Sequence, residues 1–195
     1  RIVESASPAL RFSPGDCLPC KTAQNIGIGM MPYPDPQKTR FVFGCGNPLF
    51  GDDGFGPAVV DHLDANHLLP ADTLCVDAGT AIRGILFDLL LMDEKPRQII
   101  LVDAVDLPGR DPGEVFEISV DSVPSSKVTD FSPHQFPTIN MLKEIRDYTP
   151  IDVRVLVVQI QRIPSAVEPG LSKPVQEAIP TMCRLIIETL EGNPS

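Results

Sequence analysis

The chain has 195 residues, 26 of them acidic and 16 basic, for a formal net charge of −10. That excess argues against a nucleic-acid partner, since affinity for a phosphate backbone comes from clustered Lys and Arg. A hydrophobic content of 43% suits one substantial core, and no apolar run approaches the roughly 20 residues that cross a bilayer. The longest, around Ile85 to Met92, holds Asp88 inside it. Five cysteines, an odd number without a regular framework, favour a reducing cytoplasm over a disulfide scaffold. No signal-peptide core follows Arg1, which agrees with that expectation.

Residues 1–39 carry prolines at Pro8, Pro14, Pro19, Pro32, Pro34 and Pro36 with little periodicity, and read as an extended N-terminal tail. From Arg40 to the C-terminus, short apolar runs alternate with amphipathic stretches. This texture predicts a three-layer α/β/α domain around a mostly parallel twisted sheet of about five strands. Phe41 to Cys45 is the first strand of that domain. A Gly-rich turn and a helix from Phe55 to Asn66 follow, with Phe55, Val59, Val60 and Leu63 facing inward. Thr73 to Val76 is the next strand, with Asp77 ending it, and a helix spans Ile82 to Met92. Gln98 to Val102 is an unbroken apolar run suited to a central strand, ended by Asp103. Glu114 to Val120 alternates like a half-exposed, antiparallel edge strand. Val153 to Val158 is another buried run, and Val175 to Leu190 closes the domain as a helix that Pro180 should kink or divide.

Gly44-Cys45-Gly46-Asn47-Pro48-Leu49 invites a dinucleotide reading. Leu49 stands where the third glycine belongs, however, and Pro48 lacks an N–H that a phosphate cradle would use. Asp52 and Asp53 precede the first long helix. One acid there is explained as an N-cap meeting the positive end of the helix dipole, which leaves the other for function at the carboxyl edge of the sheet, where α/β folds place ligands. Asp103 sits at the same edge on the most apolar strand, where an acid is costly to bury unless it is paired or binds a metal. Asp77 has equivalent geometry and is the runner-up.

Ser132-Pro133-His134-Gln135 is a strong helix-start signal. Ser132 serves as N-cap, Pro133 suits the first position, Gln135 completes a capping box, and Phe131 with Phe136 forms the staple. The positive helix end disfavours an imidazolium in the first turn, so His134 is expected as a neutral ligand. Two carboxylates and an imidazole, Asp53, Asp103 and His134, suit a divalent transition metal. His62 and His67 look like surface residues. Cys17-Leu18-Pro19-Cys20 has no second pair to complete a zinc site, whereas Cys45, Cys75 and Cys183 fall where free cysteine is a small buried hydrophobe. No G-x-S-x-G nucleophile elbow is present.

These motifs together, Phe41 to Pro57 (FVFGCGNPLFGDDGFGP), Asp77-Ala78-Gly79-Thr80, Ile100-Leu101-Val102-Asp103-Ala104 and Ser132-Pro133-His134-Gln135, resemble the nickel-iron hydrogenase maturation endopeptidases, from about Arg40 onward. The G-D-D-G-F-G-P wording looks most like the branch associated with the F420-reducing hydrogenases of methanogens. The resemblance implies one cut near the C-terminus of the hydrogenase large-subunit precursor after nickel insertion. It also implies that nickel is supplied by the substrate, with no permanently bound metal, and that Asp53, Asp103 and His134 complete its coordination. Asp53 is the expected general base, with Asp77 behind it. Two departures from the family pattern stand out: the first ligand is aspartate where some relatives have glutamate, and Ala78 replaces a second glycine. A non-catalytic assembly factor that reports nickel occupancy is the alternative reading.

Overall fold

The structure is a computed structural model that describes residues 21–22, 37–66, 69–121 and 135–192. Its elements in chain order are β1 (Lys21–Thr22), β2 (Arg40–Cys45), α1 (Phe55–Ala65), β3 (Thr73–Gly79), α2 (Ile82–Leu91), β4 (Gln98–Val105), β5 (Val115–Ile118), α3 (Gln135–Tyr148), β6 (Asp152–Gln159) and α4 (Lys173–Glu191). A short 3-10 turn, Gly51–Gly54, links β2 to α1.

The strands form one sheet in the order β1-β3-β2-β4-β6-β5. All pairings are parallel except β5 with β6, which confirms the antiparallel edge strand. Five strands match the expectation, and the two-residue pairing of Lys21 and Thr22 with Val76 and Asp77 adds a sixth at the β3 edge.

Side-chain alternation along each strand supplies two cores. Phe41, Phe43, Val76, Ile99 and Leu101 pack with Ile85, Leu86 and Leu89 of α2 and Leu142 and Ile145 of α3. On the other face Val42, Ile100, Val102, Leu156 and Val158 pack with Phe55, Val59, Val60 and Leu63 of α1 and with Val175, Met182 and Ile186 of α4. These are the inward residues read from the helical spacing of α1, all at most 1% exposed. Close approach of α1 to β2 rests on missing side chains: a Cβ on Gly44 would collide with the Gly56 carbonyl, and one on Gly56 with the Cys45 backbone and the Val102 carbonyl.

Three expectations need correction. β3 runs through Asp77 to Gly79 and β4 runs two residues past Asp103, because neighbouring strands still offer backbone partners there: Gly44 pairs with Asp77, and Asp103 with Val157. Of the two outcomes expected at Pro180, division does not occur: α4 is one helix with Pro180 inside it. Its strongly apolar inner face, from Val175 through Met182 to Leu190, is buried against the sheet and outweighs the loss of one helical hydrogen bond.

Candidate active site

The carboxyl ends of β2, β3 and β4 meet at one edge of the sheet. Gly44 of β2 is flanked in register by Asp77 of β3 and Val102 of β4, one residue before Asp103. Asp53 hangs above them on the 3-10 turn. Each carboxylate is oriented by a backbone amide: Asn47 N–H donates to Asp53 Oδ2 at 2.8 Å, Gly79 N–H to Asp77 Oδ1 at 3.0 Å, and Ala104 N–H to Asp103 Oδ1 at 2.8 Å. Gly46 makes this arrangement possible. It adopts a φ of 116°, closed to most side chains, and a Cβ there would overlap the Asp53 carbonyl.

Alternation divides these acids. Asp103 shares the face of Leu101, toward α2 and α3, whereas Asp77 shares the face of Cys75, toward α1. Asp61 of α1 is accordingly among the charges acting on Asp77. Among the described residues, no three His, Cys, Asp or Glu side chains are gathered to hold a metal ion on their own. His134 and its capping neighbours Phe131, Ser132 and Pro133 lie outside the described residues, as do His67, Cys17 and Cys20. α3 begins at Gln135, directly after that signal, and packs on the face shared by Asp103.

Burial pushes the Asp53 carboxyl above its ordinary value of 3.8, against the lowering pull of the Asn47 amide. Asp77 is raised in the same way, by burial first, opposed by the Gly79 amide and assisted by the charge of Asp61. At the centre stands Cys45, 4% exposed. Its thiol is pushed well up by burial and then by the charges of Asp103, Asp77 and Asp53. A buried thiol raised in this way is a poor nucleophile. Cys75 and Cys183 are buried, as expected of small hydrophobes.

Neither acid of the turn is the N-cap of α1; that position is Gly54, without a side-chain hydrogen bond. Asp52 is instead fully buried. Its carboxylate accepts from Gln161 N–H at 2.9 Å, Arg162 N–H at 3.0 Å, Ser172 N–H at 2.6 Å and Ser172 Oγ at 2.9 Å. These partners lie 109 to 120 residues away, so no local signal could reveal the clasp. The glycine turn is no phosphate cradle either. Its amides are already engaged within the protein: Gly46 N–H with the Gly79 carbonyl, Asn47 N–H with Asp53, Leu49 N–H with Asn47 Oδ1, and Phe50 N–H with the Asn47 carbonyl.

Residues 57–189 match the family model described as hydrogenase maturation protease. The chain is 36% identical over 155 residues to a putative hydrogenase maturation protease of Methanocaldococcus jannaschii, covering 77% of this chain and 96% of the relative. It is 33% identical over 164 residues to the coenzyme F420 hydrogenase subunit delta of Methanothermobacter thermautotrophicus, covering 82% and 98%. The solved hydrogenase maturating endopeptidase HybD of Escherichia coli superposes with a TM-score of 0.60 at 25% identity, covering 78% of this chain and 92% of that one. A mostly parallel sheet covered on both faces and these relatives lead to one conclusion: the chain belongs to the hydrogenase maturation protease family, whose role is C-terminal processing of the hydrogenase large subunit.

Proposed function

We propose that this endopeptidase removes a C-terminal peptide from the nickel-loaded large-subunit precursor of an F420-reducing hydrogenase, reading the nickel through Asp53, Asp103 and His134. The observation that supports the reading is that Asp53 and Asp103, on segments at the carboxyl edge of the central strands, each have one oxygen fixed by a backbone amide. A carboxylate pre-aimed in this way reorganises little when an ion arrives. The 33% identity to an F420 hydrogenase subunit of a methanogen supports the choice of hydrogenase.

The nickel is part of the substrate. Two carboxylates and an imidazole suit it and leave coordination positions for ligands the substrate brings. Its chemical contribution is polarisation of the scissile carbonyl. Asp53 takes a proton from the attacking water as the water oxygen bonds to the carbonyl carbon. The carbon–nitrogen bond then breaks, and the proton passes to the departing amine. A carboxyl raised above its usual range is a better base for this step than an ordinary aspartate. Asp77, on the other face of the sheet, is the second candidate for the base.

Mass spectrometry of the precursor tests the proposal. Incubation with the protein should shorten nickel-loaded precursor and leave nickel-free precursor intact. Equal cleavage of both would refute nickel reading, and binding to the loaded precursor without shortening would favour a non-catalytic assembly factor.

A further inference from the structure

We infer that Asp52 is a positioning residue for the reaction: it clasps the turn that carries Asp53 to the segment between β6 and α4, and so sets where the Asp53 carboxylate points. The inference rests on the reading of Asp53 as a ligand and base. It comes from Asp52 itself, a carboxylate with no exposure whose four hydrogen bonds all go to residues 161–172.

On that side Gly51 of the turn also packs against Pro164, and one backbone bridge joins the loops. Gly51 N–H donates to the Glu168 carbonyl and Glu168 N–H to the Leu49 carbonyl, a single bridge between two loops. On the other side the Asp53 carbonyl rests against Gly46, with no room for a Cβ between them. Asp53 is therefore held between a packed glycine and its own neighbour's clasp. With the clasp released, the turn can slide over Gly46, and the Asn47-to-Asp53 hydrogen bond that aims the carboxylate is the first contact to change. Three backbone amides and a hydroxyl also make Asp52 specific. A shorter or uncharged side chain cannot accept from all four, and in asparagine the amide group would oppose donors with a donor.

Replacement can also unfold a buried site, so the test uses a graded pair and a readout that global stability does not move. Asp52→Asn alters the whole clasp, whereas Ser172→Ala removes the hydroxyl bond and keeps the Ser172 backbone donor. The Asn47 amide resonance and its hydrogen exchange report the 2.8 Å bond to Asp53. We expect Asp52→Asn to lower kcat at least tenfold with KM within twofold, and Ser172→Ala to lower kcat by a few-fold. Both should shift the Asn47 amide resonance and speed its exchange, Asp52→Asn more than Ser172→Ala. Folded variants with normal kcat and an unchanged Asn47 amide resonance would overturn the inference, as would a loss of activity that tracks melting temperature alone. Asp53→Asn separates this outcome from failure of the underlying reading. If that variant processes normally, the reading of Asp53 is wrong; if it is inactive while Asp52→Asn is normal, only the positioning role falls.

Discussion

At the amino edge of the sheet the carboxylates of Asp72 and Asp152 accept from side chains, whereas at the carboxyl edge those of Asp53, Asp77 and Asp103 each accept from a backbone amide. Burial would raise Asp72 at the amino edge, but the Arg40 guanidinium beside it, bonding at 2.5 Å and 2.9 Å, outweighs that and holds the carboxyl below its ordinary value. Arg40 also donates to the Leu190 carbonyl, tying the end of α4 to the start of β2. Nearby, Gln98 donates to Asp152 at 2.7 Å. At the other end of the same strands Asp53 and Asp77 have no cation beside them among the described residues and are raised by burial. The amino edge is built for stability. The carboxyl edge retains negative charge that an incoming cation would relieve.

The largest expected effect breaks the carboxyl edge. Asp103→Ala and His134→Ala should each cut processing by about 100-fold or more, the scale on which a directly acting group contributes. His134→Ala should leave the melting temperature near wild type if the ring is a solvent-facing ligand. The amino edge should respond the other way. Arg40→Ala leaves Asp72 and the Leu190 carbonyl without their donor and should cost about 2 kcal/mol in chemical denaturation, with kcat/KM unchanged. A loss of turnover there without a loss of stability would erase the distinction between the two edges.

A smaller effect sharpens the comparison through pH. The Asp53 carboxyl is raised, so processing should fall on acidification with a midpoint above 3.8, and Asp53→Asn should abolish that limb together with the activity. The sign for stability is opposite to that of a salt-bridged acid. Ionising a raised carboxyl costs folding energy, a cost absent below its unfolded value and fully present above its folded value. Asp53→Asn should therefore melt slightly above wild type at neutral pH, with the difference vanishing below about pH 3.8. A variant that melts lower at neutral pH would show that Asp53 stabilises the fold.

Much of the fold was legible because it depends on local pattern. The apolar runs of β2, β4 and β6, the inner stripe of α1 and the alternation of β5 each carry their own signal. The placing of Asp77 and Asp103 near the carboxyl ends of neighbouring strands was legible from where the apolar runs stop. Two things were not legible. Which of Asp52 and Asp53 faces the crevice depends on amides more than 100 residues away, so the capping rule assigned a cap that Gly54 occupies instead. The division of Asp77 and Asp103 between opposite faces depends on strand register, which extends past both acids only because neighbouring strands continue to pair.

Nickel X-ray absorption on the rapidly frozen mixture of protease and nickel-loaded precursor tests the central claim most directly. The account predicts that nitrogen and oxygen neighbours join the nickel shell on binding, at the roughly 2.0 to 2.2 Å typical of such ligands, and that the change is lost with Asp103→Ala or His134→Ala. A nickel spectrum identical with and without bound protease would contradict it.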